Sequence, residues 1–100
     1  MNNFNPFSLQ RKTILITGAS SGIGSQCAID CSRMGAKVIL LARNEQRLFE
    51  TLNHCESPEL HFTASVDLRN TQEIKGTIDS IIKTTGPLDG FIHCAGVEKT

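Results

Sequence analysis

The sequence predicts an α/β fold, a doubly wound parallel sheet assembled as strand, helix, strand, helix, strand, helix, strand. Three observations carry that prediction. Apolar runs of strand length alternate with stripes at helical spacing. Lys37 to Ala42 is a continuous apolar run of the kind found in strands buried on both faces. A glycine cluster, Gly18, Gly22 and Gly24, falls where the first strand pattern gives way to the first helical one. Strands joined through helices lie parallel, and right-handed crossovers then give the strand order 3-2-1-4. On such a sheet, ligands sit outside the carboxyl ends of the strands, at the switch between strands 1 and 4.

Taken in order, Lys12 to Thr17 reads as the first strand, centred on Ile14-Leu15-Ile16. Gly22 to Met34 reads as a helix, because Ile23, Cys27, Cys31 and Met34 recur at helical intervals, and Gly35 is placed to cap it. After the second strand, Asn44 is the expected N-cap of a helix whose Leu48, Leu52 and Cys55 share a face, until Ser57-Pro58 breaks the pattern. Leu60 to Val66 alternates as a third strand, with Leu60, Phe62, Ala64 and Val66 on one side. Asn70 and Glu73 have the spacing of a capping box, ahead of a stripe of Ile74, Ile78, Ile81 and Ile82. Thr85-Gly86-Pro87 stops that helix, and Leu88 to His93 forms a fourth strand ending at Cys94-Ala95-Gly96. Left there, the fourth strand is a raw edge and a template for mispairing, so more chain is expected to follow.

Composition sets the outer bounds. One hundred residues with 39% apolar side chains suit one small domain, here residues 11–100, behind a loose polar tail, residues 1–10. Phe4, Phe7 and Leu9 of that tail can lie against the body. Ten basic and ten acidic residues balance, so no net field favours nucleic acid, and no apolar run approaches the ~20 residues a membrane span needs. The N-terminus has no positive n-region and no apolar h-region. A cytoplasmic location is expected. Cys27, Cys31, Cys55 and Cys94 lack metal-site spacing and read as reduced, buried thiols, with no metal expected. His54, His61 and His93 read as loop or strand histidines.

The glycine turn is where the chemistry gathers. Glycine permits positive φ and lets a ligand approach the backbone with no Cβ in the way, and the following helix aims unpaired N–H groups and its positive end at the same place. A diphosphate fits there. The spacing is G-x-x-x-G-x-G, not the G-x-G-x-x-G of the common dinucleotide fingerprint. T-G-A-S-S-G-I-G, carried as Thr17 to Gly24 without a gap, is similar to the cofactor signature of the short-chain dehydrogenase/reductase family in its classical form. By motif the nearest likeness is the 3-oxoacyl-carrier-protein reductase type. The resemblance implies a Rossmann fold with Gly18, Ser20, Ser21, Gly22, Ile23 and Gly24 at the cofactor.

Two further stretches extend it. At the end of strand 2, where NAD-binding relatives place an acid that binds the ribose hydroxyls and repels a 2′-phosphate, this chain has Ala42 followed by Arg43 and Asn44. Arg43 offers a planar cation for phosphate or adenine, with Ser20 or Ser21 lending a hydroxyl, so NADP(H) is expected in preference to NAD(H). Val66-Asp67-Leu68 resembles the family's D-[LV] element, which implies Asp67 at the adenine amino group and the Leu68 amide at the ring. His93-Cys94-Ala95-Gly96 stands where the family has N-N-A-G. Ala95 and Gly96 match, and both asparagines are replaced. The resemblance covers residues 12–97.

The family's chemistry resembles general acid catalysis by a tyrosine with a lysine four residues later, a serine and an upstream asparagine. This sequence contains no tyrosine, and a family member usually needs about 250 residues. No catalytic residue is therefore assigned within these residues. The expected function is the cofactor-binding half of an NADP(H)-dependent oxidoreductase, moving a hydride between nicotinamide and a carbonyl or secondary alcohol, in a protein that forms homo-oligomers. The alternative is a non-catalytic nucleotide-binding module, should the chain end naturally at Thr100. The extended epimerase/dehydratase branch fits less well, because its glycines are typically spaced G-x-x-G-x-x-G.

Overall fold

The computed structural model describes residues 8–20 and 22–94. Four parallel strands, β1 (Thr13–Thr17), β2 (Lys37–Ala42), β3 (Phe62–Ser65) and β4 (Gly90–His93), form one sheet in the order β3-β2-β1-β4. Between them run α1 (Gly22–Arg33), α2 (Glu45–His54) and α3 (Thr71–Thr85). This is the strand order the sequence predicts. The two central strands carry the long aliphatic runs because both of their faces are covered. Leu15, Ile16 and all of Val38 to Ala42 have no exposed surface.

Strand alternation splits those side chains between two cores. Ile14, Ile16, Val38, Leu40 and Ala42 face α1 and α2, together with Ala28, Leu48 and Cys55. Leu15, Ile39, Leu41 and Val66 face α3, whose Ile74, Ile78 and Ile81 pack against them half-buried. Leu9, from the predicted tail, is tied to the body by its N–H to the Met34 carbonyl, 2.7 Å, and packs on the first core. Phe4 and Phe7 lie outside the described residues.

The helix boundaries follow from capping. Asn44 Oδ1 accepts the Arg47 N–H at 3.0 Å, and Asn70 Oδ1 accepts the Glu73 N–H at 3.0 Å, each satisfying an amide the first turn leaves unpaired. Gly35, at φ +99°, and Gly86, at φ +84°, turn the chain out of α1 and α3.

Three expectations are corrected. The buried face of α1 is Gly24, Ala28, Cys31 and Ser32, not the stripe Ile23, Cys27, Cys31 and Met34; Ile23 is 78% exposed. At Gly24 the start of the helix lies against the turn before it, where a Cβ would meet the Gly18 carbonyl.

The third strand starts at Phe62, not Leu60, which belongs to a short 3-10 turn (Pro58–Leu60) and is 55% exposed. His61 fills the gap this leaves. Its Nδ1 accepts the Val38 N–H at 3.1 Å, so its protonated Nε2 donates to the Glu56 carbonyl at 2.7 Å.

Strand β4 starts at Gly90, not Leu88, because Asp89 replaces the ladder with its own pair of bonds. Its carboxylate accepts the Thr13 N–H at 2.9 Å and its N–H donates to the Thr13 carbonyl at 2.8 Å.

All four cysteines are free thiols, Cys31 and Cys55 buried, Cys27 and Cys94 half-buried. Burial pushes the Cys31 and Cys55 thiols above the ordinary value of 9.0, because the thiolate loses its hydration. A raised acid binds its proton more tightly in the folded state, so its contribution is complete below the unfolded value and lost as pH rises through the folded one. The urea midpoint should therefore fall above about pH 9 and should fall less in a Cys31→Ala, Cys55→Ala double variant. Equal declines in the two proteins would show that these thiols do not carry the effect.

Candidate functional site

Because the strands are parallel, their carboxyl ends share one edge, and the predicted site residues that the structure describes are distributed along it. The turn from β1 into α1 is held from three sides. Gly18 and Ala19 donate their N–H groups to the Leu41 carbonyl at 2.9 and 3.3 Å, fixing the turn on the end of β2. Thr51 of α2, 3% exposed, donates its hydroxyl to the Ala19 carbonyl at 3.0 Å and shares a 3.0 Å hydrogen bond with the Ser25 hydroxyl. On the third side Cys94, whose N–H donates to the Thr17 carbonyl at 3.2 Å, lies against Gly18.

The glycines of the turn do different jobs. Gly18 has φ +72°, and a Cβ there would lie 2.5 Å from the Cys94 carbonyl oxygen. A Cβ on Gly24 would run into the Gly18 carbonyl, so α1 can rest on the turn only through a glycine. Gly22 is different, since a Cβ added there meets nothing within 4 Å. It opens α1 toward free space.

Beside it Ile23 is exposed, Ser20 is half-buried, and a cavity of about 310 Å³ runs between the turn and α2, lined by Ser20, Gly22, Ser25, Arg47, Thr51 and His54 among others. A glycine without neighbours, at a helix N-terminus that faces open space, suits the close approach of a diphosphate to backbone N–H groups. Ser21, predicted as part of the same turn, lies outside the described residues.

At the end of β2, Ala42 is fully buried with its side chain in the first core, while its carbonyl accepts the Val66 N–H at 2.9 Å. It therefore meets the edge through its backbone and its lack of a carboxylate. Arg43 is exposed, and its carbonyl is clamped by the Ser65 hydroxyl at 2.8 Å. Asn44, half-buried, has its side-chain oxygen committed to the α2 cap.

At the end of β3, Asp67 accepts three bonds from Arg69: the backbone N–H at 2.9 Å and Nε at 3.2 Å on Oδ1, and Nη2 at 3.4 Å on Oδ2. The guanidinium first, then that backbone N–H, hold the carboxyl below its ordinary range, and Arg43 adds to the effect. Leu68 turns half-buried into the core beneath α3.

At the end of β4, His93 and Cys94 stand in place of the two asparagines. His93 Nδ1 is hydrogen-bonded to the buried Thr17 hydroxyl at 2.6 Å, across the β1–β4 pair where the two residues are in register. Cys94 is half-buried, and burial first, then the adjacent Cys27 thiol, raises its pKa. Ala95 and Gly96 lie outside the described residues. Among the described residues, no cluster of His, Cys, Asp or Glu could hold a metal ion.

No motif in the sequence marks Thr51, Ser65, Arg69 or the Thr17–His93 pair. Thr51 follows Leu48 at helical spacing and so had a local signal; the others bond across the sheet or through a turn, where periodicity carries none.

Strand order and the glycine turn together define a Rossmann-like α/β sheet. Residues 12–100 match the family model described as short chain dehydrogenase, and the chain belongs to that family.

Among relatives, it is 38% identical over 99 residues to hydroxysteroid 11-beta-dehydrogenase 1-like protein A of Xenopus laevis, covering 94% of this chain and 34% of that protein. It is 32% identical over 98 residues to 3-ketodihydrosphingosine reductase of Bos taurus, covering 92% and 30%. A short chain dehydrogenase from Salmonella enterica serovar Typhi superposes with a TM-score of 0.82 at 35% identity, covering 96% of this chain and 41% of that one. The chain spans about a third of the length of these curated relatives. Members of the family use a nicotinamide dinucleotide.

Proposed function

We propose that this chain is the N-terminal, cofactor-binding portion of an NADP(H)-dependent oxidoreductase. The observation that carries the NADP(H) preference is the acid-free end of β2. A carboxylate in place of Ala42 would accept bonds from the ribose hydroxyls and repel a 2′-phosphate; here a buried alanine leads into an exposed arginine. The Ser65 bond to the Arg43 carbonyl fixes the backbone from which the guanidinium extends, and Ser20 on the glycine turn is the hydroxyl for the same phosphate. Gly22, Ile23 and the first turn of α1 receive the diphosphate, Asp67 and Leu68 the adenine, and the stretch Cys94, Ala95, Gly96 the ribose beyond.

When bound, the nicotinamide supplies the hydride, and the protein supplies position. The serine, tyrosine and lysine with which the family moves the substrate's proton are assigned to no residue of this sequence, which contains no tyrosine. Family membership favours this enzyme over a module that only binds nucleotide. The substrate class is a carbonyl or secondary alcohol, in keeping with one relative named as a hydroxysteroid dehydrogenase and another as a keto reductase. The likeness by motif to 3-oxoacyl-carrier-protein reductases falls within the same class. A cytoplasmic homo-oligomer completes the proposal, and no helix among the described residues is long and apolar enough to cross a membrane.

The test is a pair of titrations. NADPH is expected to bind at least about tenfold more tightly than NADH, and Arg43→Ala to weaken NADPH by roughly 10- to 100-fold, the range of a charge-assisted bond, while leaving NADH within about threefold. Equal affinities for the two dinucleotides, both unmoved by Arg43→Ala, would remove the NADP(H) assignment.

A further inference from the structure

We propose that Arg69 is a positioning residue that holds the Asp67 carboxylate ready for the exocyclic amino group of a purine, so that the site selects adenine over hypoxanthine nucleotides. The inference rests on the reading that Asp67 faces the base, and adds the residue that sets it. A carboxylate offers about four acceptor directions. In Asp67 both directions on Oδ1 are taken, by the Arg69 backbone N–H and by Nε, while Oδ2 takes only the long 3.4 Å bond from Nη2. The fork fixes the plane of the carboxylate and leaves acceptor capacity on Oδ2. An adenine amino group donates to such an oxygen; the carbonyl that hypoxanthine carries at the same place is repelled by it.

The pair is poorly placed to serve stability. The Arg69 and Asp67 side chains are 75% and 39% exposed, and exposed ion pairs contribute little. The turn into α3 does not need the guanidinium either. It is closed by the Asn70 N–H on the Asp67 carbonyl at 2.9 Å and by the Arg69 backbone N–H on Oδ1, both of which survive replacement of the Arg69 side chain. What the guanidinium adds is order in a carboxylate that would otherwise rotate, and an ordered acceptor binds with less entropy to lose. It also neutralises Asp67, so that this carboxylate does not oppose a phosphate at the nearby Arg43.

The experiment compares NADPH with its hypoxanthine analogue, reduced nicotinamide hypoxanthine dinucleotide phosphate, by titration of the full-length protein. A preference for adenine of roughly tenfold is expected, reduced to about twofold by Arg69→Ala and to an intermediate value by Arg69→Lys, which keeps the charge and loses the fork. The melting temperature should barely move. An unchanged base preference in Arg69→Ala overturns the inference. Asp67→Asn separates the two layers: if it abolishes the preference while Arg69→Ala does not, Asp67 reads the base without help from Arg69. If neither variant changes the preference, the reading of Asp67 falls as well.

Discussion

Gly24→Ala is expected to cost the protein about 3 kcal/mol or more and its nucleotide binding with it, while Gly22→Ala, two residues earlier, is expected to leave it folded and binding poorly. The difference comes from what a methyl group would meet. At Gly24 it would run into the Gly18 carbonyl and crowd the Ala19 Cα at 3.2 Å, all of it backbone. That backbone is pinned to Leu41 and Thr51, so α1 has to lift away from the turn. For a chain of this size such a loss lowers the melting temperature by roughly 15 °C. At Gly22 nothing lies within 4 Å, and in helical backbone alanine is the better helix former. Gly22→Ala should therefore melt at or slightly above the parent temperature, yet its methyl group occupies space a diphosphate needs, and NADPH should bind about tenfold more weakly or worse. Thermal melts beside NADPH titrations decide it. Unimpaired binding in Gly22→Ala would mean that the open face of α1 is not where the nucleotide rests.

The element order was legible because its signals are local and physical. Ile14-Leu15-Ile16 and Val38 to Leu41 are continuous runs, and central strands of a parallel sheet must be apolar on both faces. Asn44 and Asn70 announce their helices because short polar side chains compete for free amides only at a helix start. What periodicity missed, it missed for cause. The contact face of α1 is made of Gly24, Ala28 and Ser32, which carry no hydrophobic signal, so the eye follows Ile23 and Cys27 instead. Leu60 continues the alternation of β3, but Pro58 commits it to a turn. At the site, the motif residues that the structure describes lie at the carboxyl ends of the strands, where the element order puts them. The bonds that hold them, Thr51 to Ala19, Ser65 to Arg43 and Thr17 to His93, join residues 32, 22 and 76 positions apart, and a local pattern encodes none of these.

Leu40→Ala should be a damaging truncation in the core, and Ile78→Ala a mild one, because the two faces of the sheet are closed to different depths. Leu40 is fully buried at the centre of β2, under α1 and α2, in the core that holds Ile14, Ile16, Val38, Ala28 and Leu48. Close packing on both sides leaves little room to collapse around the missing atoms, and leucine-to-alanine changes in such places cost about 2–5 kcal/mol. Against a total of roughly 5–15 kcal/mol for a chain of 100 residues, that is enough to populate the unfolded state. On the other face α3 works alone. It has no fully buried residue, and Ile78 is half-exposed to begin with, so its truncation removes less contact and leaves no closed cavity, at a cost of about 1–2 kcal/mol. Urea unfolding of both variants measures the contrast. Equal losses at Leu40 and Ile78 would mean that α3 is covered in solution as deeply as α1 and α2, by further chain or by a second copy, and that the exposure of its isoleucines belongs to this stretch in isolation.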